Sequence, residues 1–378
     1  MGQWPGLSSD GAATLEDGKV HIGPAEDDAL PIACSHVVFR EPFKTGHDCR
    51  CFAMSTDGRL LAIAFDRSHI VWVWRLSDGL LVQRLQDQGH TESINSLAFS
   101  PTGQTIVSGS SDRSAIIWNI RNGHATRRLG DHATNVRSAT FSPDGLLVAT
   151  GCKDGAVKIW DSGSGKILHS FNLGSRVWRL RFSPDSLRLV IKLVDMGAIY
   201  DVPTGTLIAT LQHGGGERLR LSLSSQGDRI ITSTREGKAK IWNAVTGEQL
   251  LEFTEHTTAF NSHVAFSPDG AEVAIALSNH TVMTCDSRTG QQRQIYRVSS
   301  PVWRITYSPD GGYVAVGSGD GPVRVWNARS GAFLAEFKGH RKGIDTIQFL
   351  SDGHSLLSLS LYEKDARLWS IRDAIRLR

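Results

Sequence analysis

The stretch GHTESINSLAFSPTGQTIVSGSSDRSAIIWN, residues 89–119, contains three short runs rich in apolar residues, separated by two turns. The third run ends in Trp118. Between the first two runs, Pro101 presets φ and Gly103 tolerates a positive φ, so this segment is a turn signal with a physical basis. A further run at 125–129 follows the turn residues Asn122-Gly123. The stretch therefore predicts four consecutive strands that form one small antiparallel sheet.

This unit recurs eight times, at intervals of 40 to 44 residues. Each recurrence ends its third strand in an aromatic residue or, once, in a cysteine: Trp74, Trp118, Trp160, Tyr200, Trp242, Cys285, Trp326 and Trp369. Repeats of about 40 residues with four strands each are typical of β-propeller blades. The sequence therefore predicts an all-β chain that folds as a closed β-propeller of four-stranded antiparallel blades.

The number of blades and the closure of the ring depend on the two ends of the repeat. Eight first strands favour eight blades, and seven blades plus an extra hairpin is the alternative. The last unit has too little chain after Trp369 for a fourth strand, whereas the apolar run Cys34–Phe39 precedes the first unit. We expect this N-terminal strand to complete the last blade and leave no open edge. Residues 1–30 are expected to be a flexible leader, and residues 31–378 a single propeller domain.

Composition limits the classes of function. The chain has 41 Lys and Arg against 38 Asp and Glu, and it contains no run of five basic residues, which does not favour dedicated nucleic-acid binding. Its five cysteines include no C-x-x-C pair, which fits a reducing compartment. No secretory signal opens the sequence, and no apolar run approaches the ~20 residues that span a bilayer. We expect a soluble protein of the cytoplasm or nucleus without a membrane partner.

The repeated motifs resemble those of the WD-repeat family: Gly-His before the first strand, Ser-Pro-Asp-Gly after it, and Trp-Asp or Trp-Asn at the end of the third. The resemblance covers most of the chain. It implies that a blade is locked by a hydrogen-bonded set of His, Ser or Thr, Asp and Trp. That set is complete twice in the sequence, as His90, Ser108, Asp112, Trp118 and as His132, Thr150, Asp154, Trp160.

These histidines, hydroxyls and carboxylates recur with the blade period, so we interpret them as structural groups and not as a catalytic triad. Blades 4, 5 and 7 lack the Gly-His opening. No Cys or carboxylate cluster joins the histidines at the spacing of metal ligands, so we expect no bound metal. We also expect no cofactor.

The resemblance implies that the first strands line the central channel and that one residue of each points to the rim of the narrower face. Blades 4 and 7 each place a tryptophan there, Trp178 and Trp303, within near-identical segments. Exposed tryptophan and arginine are the side chains most enriched at protein interfaces. The predicted partner-binding residues are therefore Trp178, Trp303, Arg137, Arg176, Arg50, Lys153, Arg235, Phe65, Tyr362 and Asp345. The alternative is that either tryptophan packs between blades.

Such an aromatic and basic face suits an acidic or phosphorylated protein segment. The favoured function is thus a non-catalytic scaffold or adaptor for a protein or peptide partner. Similarity to Tup-type corepressors and to the WD repeats of NACHT-type signalling proteins implies two variants of this role, a corepressor and a receptor half. An alternative of another class is a propeller enzyme that uses Asp48, Asp345 and Arg137 at the channel mouth. A small-molecule substrate is not favoured.

Overall fold

The computed structural model describes residues 14–16, 19–21, 34–40, 49–213, 219–234, 238–253, 263–277, 279–360, 363 and 365–376. Within these ranges, eight four-stranded sheets follow one another along the chain. Every strand in these sheets pairs antiparallel with its neighbours. The predicted closed propeller of eight four-stranded blades is confirmed, and the seven-bladed alternative is wrong.

The first four blades use strands in simple sequence order. Blade 1 comprises β4 (Cys49–Met54), β5 (Leu60–Phe65), β6 (Val71–Arg75) and β7 (Leu81–Leu85). Blade 2 comprises β8 (Ile94–Phe99), β9 (Thr105–Ser110), β10 (Ala115–Asn119) and β11 (Ala125–Leu129). Blade 3 comprises β12 (Val136–Phe141), β13 (Leu147–Cys152), β14 (Ala156–Asp161) and β15 (Ile167–Asn172). Blade 4 comprises β16 (Arg179–Phe182), β17 (Arg188–Lys192), β18 (Met196–Asp201) and β19 (Leu207–Gln212).

Blades 5 to 7 repeat this order. Blade 5 comprises β20 (Arg220–Leu223), β21 (Arg229–Ser233), β22 (Ala239–Asn243) and β23 (Gln249–Phe253). Blade 6 comprises β24 (Val264–Phe266), β25 (Glu272–Ala276), β26 (Thr281–Asp286) and β27 (Gln292–Arg297). Blade 7 comprises β28 (Val302–Tyr307), β29 (Tyr313–Ser318), β30 (Val323–Asn327) and β31 (Phe333–Phe337).

Blade 8 closes the ring with both ends of the propeller. It contains β32 (Thr346–Phe349), β33 (Ser355–Ser360), β34 (Asp365–Ser370) and the N-terminal strand β3 (Cys34–Arg40). β3 pairs antiparallel with β34, from Cys34 opposite Trp369 to Arg40 opposite Asp365. The prediction that an N-terminal strand completes the last blade is confirmed. This pairing removes the open edge that β34 would otherwise present.

Short elements flank the ring at both ends. Within the predicted leader, β1 (Thr14–Glu16) pairs with β2 (Lys19–His21), and the other residues of 1–30 lie outside the described residues. The flexibility of this leader stays a prediction. After β34, a helix α1 (Ile371–Arg376), which the sequence analysis did not predict, buries Ile371 and Ala374 against blades 7 and 8.

The apolar core lies between adjacent blades and not within any one sheet. Eight buried clusters each combine side chains of two neighbouring blades, for example Val71 of blade 1 with Ile94 and Trp118 of blade 2. The aromatic or Cys residue that marks the end of each third strand is buried in all eight blades. Neighbouring blades therefore hold one another in place, and the loops at the two ends of the ring are left to form surfaces.

Polar networks fix the turns of individual blades. In blade 2, His90 Nε2 lies 2.7 Å from Ser108 Oγ and His90 Nδ1 lies 2.8 Å from Asp112, while Trp118 Nε1 donates to Ser108 Oγ over 2.8 Å. The predicted set is thus formed in full. Burial alone would raise the pKa of Asp112, but hydrogen bonds from His90, Ser114 and the Thr91 amide hold it well below its usual range.

The second predicted set differs from the expectation. Trp160 Nε1 donates to Thr150 Oγ1 over 2.8 Å, but His132 Nδ1 lies 3.2 Å from Cys152 Sγ and makes no hydrogen bond to Asp154. His132 Nε2 is buried without a hydrogen-bond partner. The blade 3 prediction is therefore wrong in its histidine. The reason is that Cys152, the last residue of β13, offers a sulfur group within reach of the ring.

Blades 5 and 8 contain comparable networks, of which the Gly-His motif indicates only the one in blade 8. His213 Nε2 lies 2.6 Å from Thr232 Oγ1, which also accepts from Trp242 Nε1 over 2.7 Å. His213 precedes a glycine instead of following one, which explains why a search for Gly-His missed it. In blade 8, His340 contacts Ser358 at 2.8 Å and Glu363 at 3.1 Å, so a glutamate takes the position of the usual aspartate.

Candidate functional site

Several of the predicted rim positions share an irregularity in the pairing of the first strands. In blades 1, 2, 3 and 7 the pairing of the first strand with the second shifts by one residue, and the extra residue is Arg50, Asn95, Arg137 or Trp303. A β-bulge leaves its extra residue outside the ladder and redirects the side chain. The predicted rim positions therefore coincide with bulges, and the side chains there can point out of the sheet.

Arg50 is held in place by contacts to its own blade and to the next. Its guanidinium pairs with Asp66, and its Nε and Nη2 donate to Asn95 Oδ1 over 3.0 and 2.7 Å. Asn95 in turn donates from Nδ2 to the carbonyl of Val136 in blade 3 over 2.9 Å. A continuous chain of hydrogen bonds thus runs along the rim from blade 1 to blade 3. Asp66 was not predicted, although it directly follows β5 in the turn that faces this rim.

Arg137 is the next cation along the rim. Burial lowers the pKa of Arg137, and the neighbouring charges of Arg176 and Arg50 lower it further. Its Nε is buried and has no hydrogen-bond partner. Arg50 of blade 1 and Arg176 at the start of blade 4 therefore each lie close enough to Arg137 to repel its charge, and Arg137 has an unused donor.

Trp178 is the exposed aromatic residue beside this cluster. It is 42% exposed, and the guanidinium carbon of Arg176 lies 5.7 Å from the centre of its ring. This distance is within the range of a cation–π contact. Its backbone amide donates to the carbonyl of Lys192 over 2.8 Å, which fixes the main chain below the ring. Trp178 therefore presents a large apolar surface on a fixed backbone.

Trp303 has a different environment although its segment is nearly a copy. It is half-buried, and its ring lies on the glycines of its own blade and of blade 8. A Cβ at Gly343 would lie 2.3 Å from Cζ3 of the indole, and one at Gly319 would lie 3.4 Å from Nε1. The ring thus occupies the space that a side chain at Gly343 would take. For Trp303 the alternative of packing between blades fits this geometry.

The remaining predicted residues lie in different environments. Lys153 is exposed in a turn of blade 3 and is joined to the rim by a 3.0 Å hydrogen bond from its amide to the carbonyl of Asn135. Asp345 is half-buried, and its charge favours the charged form of Arg304 in the channel.

Phe65 is 7% exposed and packs in the core between blades 8 and 1, so its expected surface role is wrong: the chain places it on the buried face of β5. Arg235 and Tyr362 lie outside the described residues, as does Asp48 of the enzyme alternative.

We call the group formed by Arg50, Arg137, Arg176, Trp178 and Lys153 the basic rim.

Nucleophilic chemistry is not favoured at the described thiols, because burial raises the pKa of Cys152 to about 12 and of Cys285 to about 11. Among the described residues, no group of three or more His, Cys, Asp or Glu is arranged to hold a metal ion. None of the described helices has the length and apolar character needed to cross a bilayer.

Comparison with known proteins was made at three levels. A family model described as "WD domain, G-beta repeat" matches residues 80–119, 123–161 and 290–327. The chain is 22% identical over 334 residues to the angio-associated migratory cell protein of Homo sapiens, covering 83% of this chain and 76% of that protein. It is 27% identical over 326 residues to a guanine nucleotide-binding protein subunit beta of Oryza sativa subsp. japonica, covering 75% of this chain and 82% of that protein.

A third relative is much longer than the matched region. The periodic tryptophan protein 2 homolog of Dictyostelium discoideum is 24% identical over 265 residues, and the match covers 66% of this chain but 27% of that protein. Among solved structures, the computationally designed Ika8 protein superposes with a TM-score of 0.72 at 22% identity, covering 86% of this chain and 96% of that one. This structural likeness supports the fold alone.

Proposed function

Because this chain belongs to the WD-repeat β-propeller family, we propose that it is a protein-interaction scaffold whose basic rim binds an acidic or phosphorylated segment of a partner. Its relatives support an interaction role in general. We further propose that the basic rim is the binding surface, that the partner segment is acidic or phosphorylated, and that the protein acts in the cytoplasm or nucleus.

The observation that carries the proposal is the gathering of Arg137 and Arg176 next to the exposed Trp178, with Arg50 beside them in its ion pair with Asp66. Like charges at short range repel, and an anionic ligand turns that repulsion into attraction. Guanidinium groups bind carboxylate and phosphate oxygens in pairs, and the side chain of Arg137 is half-buried, so part of it is open to such a bond. Trp178 supplies apolar contact beside these charges, as aromatic anchors do at interfaces.

The test is a binding titration with a defined probe. A fluorescein-labelled acidic peptide carrying two phosphoserines is titrated with the protein and followed by fluorescence polarisation, in parallel with its unphosphorylated form. Trp178→Ala and Arg137→Gln are each expected to weaken binding by about 10-fold to 30-fold, or about 1.4 to 2 kcal/mol. Affinity is also expected to fall steeply as salt rises.

Arg121→Gln serves as the matched control. Arg121 is exposed in the turn between β10 and β11, at the end of blade 2 opposite the rim, and its replacement removes the same charge. It is expected to leave peptide affinity unchanged. Equal loss in Arg121→Gln and Arg137→Gln would show that binding follows net charge and would refute the basic rim. Failure of the phosphorylated peptide to bind would refute the proposed class of partner.

A further inference from the structure

The inner strands of blades 4 to 7 carry basic side chains at one shared position. In each blade this position pairs with the second-strand residue that lies three positions after the one opposite the buried aromatic or Cys at the end of the third strand. In blades 4 to 7 its occupants are Arg179, Arg220, His263 and Arg304. The same position in blades 8, 1, 2 and 3 holds Thr346, Cys51, Ser96 and Ser138. One half of this level of the ring is therefore cationic and bulky, whereas the other half has short side chains.

These side chains lie along the wall of the central channel. Each first strand is the edge strand of its sheet and is the innermost strand of its blade. In β16, Arg179 and Arg181 are exposed while the alternating Leu180 and Phe182 are buried at 4% and 5%. The two arginines therefore project from the same side of the innermost strand, away from the core.

Hydrogen bonds between blades fix this level of the wall. The backbone amides of Ala139 and Leu180 each donate over 3.0 Å to the serine of the preceding blade, Ser96 and Ser138 respectively. The amide of Ile305 donates to His263 Nδ1 over 3.3 Å, which leaves Nε2 as the donor of the neutral ring. The wall is thus preorganised, and the cations stand at defined heights within it.

The charges on the wall act on one another across blades. Arg181 is open to the channel, but the surrounding wall removes much of the water around it, and this desolvation and then the charge of Arg179 lower its pKa to about 10. Burial, followed by Arg220 and Arg179, lowers the pKa of Arg304 to about 10, against the opposing effect of Asp345. Arg304 also donates from Nη1 to the carbonyl of Trp303 over 3.0 Å. Cations from blades 4, 5 and 7 therefore share one electrostatic environment.

A structural arginine of this protein has quite different surroundings. Arg324 in blade 7 is 11% exposed and lies 2.8 Å from Asp320 and 2.9 Å from Glu336. Within the described part of the chain, neither Arg179 nor Arg181 has a carboxylate within ion-pair distance. Like charges held close together without a counter-charge oppose folding, so stability does not explain the pair Arg179 and Arg181.

We infer that the channel binds a compact polyanion, a small molecule that carries several phosphate groups, between Arg179, Arg181, Arg220 and Arg304. Guanidinium groups match phosphate in shape and bind it with two hydrogen bonds each, and here four of them come from blades 4, 5 and 7. The short side chains on the opposite half of the same level leave room for the ligand. This site is separate from the basic rim and does not depend on the proposed function.

The experiment uses inorganic tripolyphosphate as the probe with the full chain. Isothermal titration calorimetry is expected to show one site per chain and a dissociation constant that rises with salt, and the ligand is expected to raise Tm by several degrees. Arg179→Gln and Arg181→Gln are each expected to weaken binding at least about 10-fold. Arg121→Gln, which removes an equal charge from a surface turn, is expected to leave binding unchanged.

The stability of the unliganded variants separates a ligand site from a structural role. Removing a cation that is repelled by its neighbours is expected to keep or raise the Tm of the free protein while the tripolyphosphate-induced rise is lost. A lower Tm of both free variants would show that the arginines stabilise the fold. No binding of tripolyphosphate, or binding that both substitutions leave intact, would overturn the inference. A third outcome would also overturn the inference: the protein does not bind tripolyphosphate, but Arg179→Gln and Arg181→Gln lose the acidic peptide. The channel would then bind the carboxylates of a partner.

Discussion

Replacing Ser108 by alanine tests whether the hydrogen-bonded set of blade 2 stabilises the propeller. The Ser108 hydroxyl is fully buried and joins two rings, because it accepts from Trp118 Nε1 at 2.8 Å and lies 2.7 Å from His90 Nε2. With His90 Nδ1 donating to the Asp112 carboxylate, the hydroxyl donates to Nε2. Donors and acceptors in this chain of bonds are thus matched from the indole to the carboxylate.

The size of the effect follows from the groups left behind. Alanine leaves the indole N–H and the imidazole nitrogen buried without a partner, and each such group costs about 1 to 3 kcal/mol. We expect a loss of about 3 kcal/mol in the free energy of unfolding. For 378 residues, an unfolding entropy of about 2.1 cal/mol/K per residue sums to roughly 0.8 kcal/mol/K. The expected fall in Tm is therefore about 4 °C.

Ser108→Thr is the matched control. Thr150 and Thr232 occupy the corresponding positions of blades 3 and 5 and accept the indole N–H of Trp160 and Trp242 at 2.8 and 2.7 Å. A threonine hydroxyl is therefore compatible with the network, and we expect Ser108→Thr to cost less than about 1 kcal/mol.

The assay is urea unfolding followed by tryptophan fluorescence and by circular dichroism, and agreement of the two transitions shows that one equilibrium is measured. Trp118→Phe alone and together with Ser108→Ala completes a double-mutant cycle, in which we expect a coupling energy of about 1 kcal/mol or more. A loss below about 0.5 kcal/mol in Ser108→Ala would refute the reasoning. So would a Ser108→Thr variant as unstable as the alanine variant.

Two further predictions concern pH and ring closure. Burial lowers the pKa of His132 to about 4, so the unfolded chain takes up a proton at higher pH than the folded chain, and stability falls as pH drops below about 6.5. At pH 5 this one group lowers the free energy of unfolding by on the order of 2 kcal/mol relative to pH 7.5. His132→Gln is therefore expected to flatten the pH dependence of the urea midpoint. An unchanged slope would contradict the assignment to His132. Deleting residues 1–40 removes β3 and opens the edge of β34, so we expect a lower Tm and association in light scattering, whereas deleting residues 1–33 spares β3. Equal behaviour of the two truncations would show that β3 does not close the ring.

The architecture could be predicted because its signals are local and repeated. Turn residues such as Pro101 and Gly103 act within a few positions, and the alternation of a strand needs only its own side chains. Because the pattern recurs eight times, the strand assignment within a repeat is well supported, and only the first and last strands of the propeller could be assigned wrongly. Even there, the apolar run from Cys34 to Phe39 was sufficient to predict which strand closes the ring.

The partners of individual polar side chains could not be predicted in the same way. The motif assigns His132 to Asp154, yet the ring contacts Cys152, whose sulfur lies 3.2 Å from Nδ1 in the folded chain. Likewise, Trp178 and Trp303 occupy matching positions in near-copies, and the sequence of their own blades predicts one environment for both. Gly343 of the next blade makes the difference, since its missing side chain leaves space for the Trp303 ring.

By itself the sequence thus determined the propeller architecture and the strand order of a blade, and it favoured eight blades closed by the N-terminal strand, since these depend on patterns that lie within one repeat. Tertiary structure alone decided which rim cations are neighbours and that Arg179, Arg181 and Arg304 share one channel wall. Those residues come from different repeats, and their distances exist only once the ring has closed. Charge repulsion acts through space and depends on that closed geometry, so no reading along the chain contains it.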